Sequence, residues 1–145
     1  MRRIFLIILV SAMFCVPTFA QLPSNNAHAI KTHCTNSAED NISTLFNVCE
    51  RAFEKGDLQT AMECTLSINQ DLSYIYDQET QYFWRCRCLI LQSKIRYAID
   101  KKGRRFYKNL KIVNKMRSHF NPQYQYVIED DIRKAIYQIS IIKIE

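Results

Sequence analysis

The stretch ISTLFNVCERAFEKGDLQTAMECTLSI, from Ile42 to Ile68, constrains the fold of this chain more than any other. In its first half the apolar residues Ile42, Leu45, Phe46, Cys49, Ala52 and Phe53 recur at spacings of three and four, which puts them on one helical face. Asn47, Glu50, Arg51 and Glu54 occupy the other side, so that face can stay solvated. Lys55 suits the negative end of the helix dipole. Gly56 is the residue best able to take the left-handed conformation that ends a helix. Asp57 is then placed to cap a second helix, whose face is Leu58, Ala61, Met62, Thr65 and Ile68. A turn this short forces the two helices antiparallel and adjacent.

At these residues the chain resembles the tetratricopeptide repeat family. The matching pattern is Leu45, Asn47-Val48, Cys49 and Ala52-Phe53, then Lys55-Gly56-Asp57-Leu58 and Ala61-Met62. It covers one repeat, from Ile42 to about Asn69. Cys49 stands where the family usually has Gly or Ala, and no second copy follows at the family period of about 34 residues. The resemblance implies a helix–turn–helix unit used as a scaffold for contact between proteins. A generic helical hairpin is the alternative.

The 145 residues are enough for one domain. Only two Gly and three Pro interrupt them, which favours long helices over many short strands. Downstream of the hairpin, Asn69 to Gln78 reads as a linker or helix extension. A third helix is expected over Glu79 to Lys102, with Trp84, Cys88, Leu91, Ile95, Ala98 and Ile99 as its face, widened by Phe83 and Leu89, and Gly103 as its stop. A fourth runs from Arg104 to His119 on Phe106, Leu110, Val113 and Met116. Asn121-Pro122 suits the start of a fifth, with Ile128, Ile132, Ala135, Ile136, Ile139 and Ile142 on its face. A β-strand is the alternative over the Ile-rich end, Ile139 to Ile144. The expected fold is all-α: about five helices as antiparallel hairpins, in a short repeat-like stack or a bundle.

Residues 1–20 read as a secretory signal. Arg2 and Arg3 precede the uncharged stretch Ile4 to Val16, and Thr18-Phe19-Ala20 suits cleavage after Ala20. The apolar run is short for a membrane span. Met13 and Phe14 are too bulky for Cys15 to be a lipoprotein anchor. Residues 21–36 read as a flexible lead-in, with Ser37 capping the first helix, so residues 37–145 form a single helical domain. The wealth of Ile, Lys and Asn is compatible with an AT-rich bacterial genome. The expected location is therefore the periplasm or the exterior.

Five cysteines follow the signal, and in an exported chain these are first read as disulfide partners. Cys49 and Cys64 flank the Gly56 turn at nearly equal distances, so they lie at similar heights in the hairpin. Cys86 and Cys88 point about 200° apart on one helix and cannot bond each other. Cys88 belongs to the core side, while Cys86 faces elsewhere and can meet Cys34 of the lead-in. His28 and His33 near Cys34 read as solvated loop residues rather than metal ligands.

Charge is segregated along the chain, whose net value is +6. Arg51 and Lys55 are the only bases between Glu39 and Glu79, a stretch rich in acids, whereas Asp100 is the only acid between Arg85 and Arg117. Lys101, Lys102, Arg104, Arg105, Lys108, Lys111, Lys115 and Arg117, with Tyr97 and Tyr107 among them, form a candidate surface for polyanions. Lipid headgroups, lipopolysaccharide or an acidic protein fit an exported chain better than nucleic acid, for which no motif is present. The bland alternative is a solvated helix face.

No Gly-rich phosphate loop, Gly-x-Ser-x-Gly or His-Glu-x-x-His motif occurs. The triplet Glu129-Asp130-Asp131 falls in the first turns of the fifth helix, where acids suit the dipole. His119 reads as a cap or surface residue. The sequence thus points to a non-enzyme without cofactor or metal: first an exported protein-interaction scaffold, and second a binder of anionic surfaces through 101–117. A small secreted hydrolase is the third alternative.

Overall fold

The computed structural model describes residues 24–142, with side chains for 37–142. The expected signal at residues 1–20 lies outside the described residues. The fold is all-α: α1 (Ser24–Glu54), α2 (Leu58–Asp71), a 3-10 turn (Leu72–Tyr74), α3 (Gln78–Asp100), α4 (Gly103–Arg117) and α5 (Pro122–Ile142). Each helix packs on the next, and α5 folds back on α3 as well as α4. The helical reading of the Ile-rich end holds as far as Ile142.

The breaks follow the local chemistry. Gly56 takes φ +78°, and the Asp57 carboxylate accepts the Thr60 N–H at 3.1 Å to start α2. Asp77 caps α3 in the same way through Thr80, and Asn121 Oδ1 accepts the Tyr124 N–H at 3.0 Å to start α5. Two boundaries differ from expectation. Gly103 does not end α3; Lys101 does, in the left-handed conformation at φ 56°, and Gly103 opens α4. Its Cβ position is hemmed by the rings of Tyr107 and Tyr97. Ser37 caps nothing, because α1 begins at Ser24 and runs through the expected lead-in. No Gly or Pro lies between 24 and 54 to stop it.

The helix α3 is the axis of the molecule. It buries Trp84, Cys88, Leu91, Ile95 and the flanking Phe83, as the sequence predicts, but also Cys86, Ile90, Ser93, Lys94 and Tyr97. It packs against α1, α2, α4 and α5, so a single apolar stripe cannot describe it. Ile99 and Ile136, expected on core faces, are instead 59% and 45% exposed.

A constant register links the odd-numbered helices. Four side-chain pairs join residues 44 apart: Thr80 with Tyr124, Arg87 with Asp131, Glu50 with Lys94 and Lys94 with Gln138. A fifth pair, Trp84 donating to Glu39, joins residues 45 apart. Helices α1, α3 and α5 therefore run parallel, each shifted from the last by 44 to 45 residues. The even helices repeat too: α2 buries Ala61, Thr65 and Ile68, and α4 buries Phe106, Leu110 and Val113 at the same four-then-three spacing. The molecule is built on a two-helix unit longer than the tetratricopeptide period.

Candidate binding surfaces

Helix α4 divides its two sides cleanly. Phe106, Leu110 and Val113 enter the core. Opposite them Arg104, Lys108, Lys111 and Lys115 follow at intervals of four, three and four, which aligns them in one exposed stripe about 16 Å long. Lys101, Lys102 and Arg105 extend it at the N-terminal end, and all seven are exposed. None of the seven takes part in an ion pair among the described residues. Tyr107 and Ile112 flank the stripe, 56% and 42% exposed. Two expected members are elsewhere. Arg117 turns away and pairs with Glu129 of α5, and Tyr97 is buried against Phe106 with ring centroids 5.9 Å apart.

A second concave feature lies where α1, α3 and α5 meet. Phe46, Asn47, Glu50 and Glu54 of α1, Arg87, Ile90 and Lys94 of α3, and Asp131, Lys134 and Gln138 of α5 line an open cavity of about 290 Å³. Its charges are matched internally. The Lys94 ammonium is buried; it donates to both Glu50 oxygens at 2.8 and 2.9 Å and to Gln138 Oε1 at 2.9 Å. It also sits 4.9 Å from the centre of the Phe53 ring. Arg87 donates to Asp131 at 2.7 Å and lies over the rings of Phe46 and Trp84, at 4.2 and 4.9 Å. Lys94 was not legible as a site residue. It lies off the α3 apolar stripe, and its partners lie on other helices.

The cysteines are not arranged as expected. Cys49, Cys64, Cys86 and Cys88 are all free thiols. Cys49 does point inward, but its Sγ meets the Ala61 carbonyl oxygen at 3.0 Å rather than Cys64. Cys88 Sγ lies 3.7 Å from the Thr65 carbonyl oxygen. Cys86, expected to face away from the core, is instead 2% exposed. The α4 side of α3 is as buried as the α2 side, which the apolar spacing did not signal. Cys34 itself, with His28 and His33, lies outside the described side chains. Burial pushes the Cys49 and Cys88 thiols up to about 12 and Cys86 to about 11. Such thiols stay protonated and are poor nucleophiles.

The acidic triplet of α5 is spent on ion pairs: Glu129 with Arg117 and Arg133, Asp130 with Lys134, Asp131 with Arg87. His119 is exposed and lines a shallow recess with Tyr82, Met116 and Phe120. No helix among the described residues is long and apolar enough to cross a membrane. Comparisons with protein-family models, with curated proteins and with solved structures find no match for this chain.

Proposed function

We propose that this chain is an exported, non-enzymatic binding protein that attaches to anionic surfaces through the outer stripe of α4. The observation that carries this reading is the alignment of Arg104, Lys108, Lys111 and Lys115 opposite the core face, without counter-charges among the described residues. Cations held on a rigid helix add their fields over one patch and attract phosphate-bearing surfaces. Because the apolar side of α4 is consumed by the core, attachment is electrostatic, with Tyr107 and Ile112 reaching no deeper than headgroups. Export rests on residues 1–20, and N-terminal sequencing of the secreted protein should begin at Gln21.

The test is co-sedimentation with vesicles containing 30–40% anionic lipid (roughly the content that gives a marked surface potential) and with purely zwitterionic vesicles. Binding to the anionic set at low salt, weakening steeply as salt rises, is the expected result. No binding to anionic vesicles at low salt overturns the reading.

A second reading, a scaffold for a protein partner as the tetratricopeptide resemblance implies, is favoured by the cavity among α1, α3 and α5. Stacked helical units form concave surfaces of this kind. Here one defined partner should be retained at moderate salt and lost on Glu54→Lys, which leaves α4 untouched. Retention by that variant counts against the cavity.

A further inference from the structure

The junctions between the described helices are not equally secured. Before α2, the N–H groups of Lys55, Gly56 and Asp57 donate to carbonyl oxygens of α1, and the Asp57 carboxylate caps Thr60. Asp77 caps α3, and Asn121 caps α5 while its own N–H donates to Glu79 at 2.7 Å. The junction between α3 and α4 is built differently. Lys101 and Lys102 donate their N–H groups to the Tyr97 carbonyl and to the exposed Asp100 carboxylate. The N-cap residue Lys102, however, gives α4 no side-chain hydrogen bond, since an ammonium has no acceptor to offer. No acid occupies the first turn of α4. Arg104 and Arg105 lie there instead, with Lys101 and Lys102 just before them. Four cations therefore crowd the positive end of the helix dipole, where cations destabilise. Lys101 also holds φ 56°, the only left-handed residue other than glycine among the described residues. Of these junctions, the start of α4 is the one most ready to unwind.

The same junction presents Lys101-Lys102-Gly103-Arg104-Arg105, and its four basic side chains are exposed. Lys102 is already extended, at φ −89° and ψ 94°, the form in which a peptide is read as an added strand. No other described junction offers a basic residue in this state. Residues 72–77 contain none, Lys55 lies within a bonded turn, and Arg117 is paired with Glu129. We propose that the α3–α4 junction is a processing site, cut at the Lys102–Gly103 bond by a protease whose specificity pocket holds a carboxylate for a basic side chain. Hydrolysis breaks the carbon–nitrogen bond of that peptide link. Water gives its hydroxyl to the Lys102 carbonyl carbon and its proton to the Gly103 nitrogen. The product is a two-chain protein rather than an unfolded one. The piece from Gly103 onward stays attached through Phe106, Leu110 and Val113 in the core. It is also held by Asp131 on Arg87, Gln138 on Lys94 and Asn109 on Ser93. The α4 stripe of Arg104, Lys108, Lys111 and Lys115 survives the cut whole.

Limited digestion of the purified full chain with trypsin, a protease of this specificity, tests the proposal. Among the bonds between residues 37 and 142, Lys102–Gly103 should be cut first, as fragment masses will show. The two pieces should elute together in size exclusion and separate in urea. Arg105→Glu puts an acid into the first turn of α4 and leaves Lys101, Lys102 and Gly103 in place. It should slow cutting of the native chain roughly two- to fivefold, the range that an acid at a helix N-terminus is worth. In a peptide of residues 98–109, too short to hold a helix in water, the two sequences should be cut at equal rates. Unchanged circular dichroism of the variant establishes that its helices are intact. A first cut at any other bond of that region overturns the proposal. So does a native chain left whole there while the peptide is cut, or pieces that part without denaturant. A folded variant cut as fast as wild type, or slowed equally in the peptide, also overturns it.

Discussion

Among single residues, Lys94 carries the heaviest structural load. Its ammonium is buried at the junction of three helices and has three acceptors, two on Glu50 and one on Gln138. Taking one charge from such a pair leaves the other desolvated and unmatched, at a cost of about 3–5 kcal/mol when both are fully buried. Glu50 retains 27% side-chain exposure, so the lower end applies. Lys94→Met should therefore lower unfolding stability in urea by about 3 kcal/mol. The double variant with Glu50→Met should cost less than the sum of the two singles, since it leaves no orphaned charge. An additive cycle would contradict a lock shared by these helices. The thiols give a pH signature at the same scale. Burial raises Cys49, Cys86 and Cys88 above the ordinary 9.0, so they keep their protons in the fold and lose them more readily once unfolded. Their contribution is complete below pH 9 and fades as pH rises toward about 12. Urea midpoints should fall across that window, and less so in a Cys86→Ala, Cys88→Ala variant. At pH 8, alkylation of the native chain should reach Cys64 first among the described thiols, because Cys64 alone of the four is not buried.

At the scale of elements, the hairpin from α1 to α2 was the most legible part of the sequence. Gly56 and Asp57 use strictly local chemistry, and the structure places them as their types require. At Gly56 a Cβ would meet nothing within 4 Å, so only its φ of +78° opposes substitution. Gly56→Ala should thus cost about 1 kcal/mol in thermal or urea unfolding, with no change in fold. A neutral result would mean that the turn relaxes freely. By contrast, α3 was only half legible. An amphipathic pattern reports a helix with one buried side, and α3 is enclosed by its neighbours. Its second buried side is built from Cys86, Ser93, Lys94 and Tyr97. Ser93 and Lys94 are tolerated there because Asn109, Glu50 and Gln138 satisfy them. Those partners are distant in sequence, so no local pattern could announce them. The start of α1 was missed for a related reason. Polar residues 24–36 carry no apolar period, yet nothing in them breaks a helix once one is propagating from the core.

For the whole molecule, the repeat was invisible in the sequence because it is a repeat of register. Glu50, Lys94 and Gln138 occupy corresponding places and share no chemistry except their ability to bind one another. The same register leaves α5 without a covering helix among the described residues, while α4 turns its unpaired cations to solvent. We assign the basic face of α4 the task of attachment to an anionic surface. The basic stripe was legible as a charge run, but only the fold divides its members. Arg117 is withdrawn to Glu129 and Tyr97 to the core, whereas the remaining seven cations stay outside.

Attachment through that stripe, rather than through net charge, is tested most directly by two charge-matched variants titrated on the same anionic vesicles. One carries Lys108→Gln and Lys111→Gln, at the centre of the stripe. The other carries Arg51→Gln and Lys55→Gln, exposed bases of α1 and the following turn. Both lose the same charge. The stripe variant should bind about thirtyfold more weakly than wild type, at about 1 kcal/mol for each basic residue near the surface, and the α1 variant should bind nearly as wild type does. Equal weakening in both would mean that overall charge alone drives attachment, and would contradict the assignment of α4.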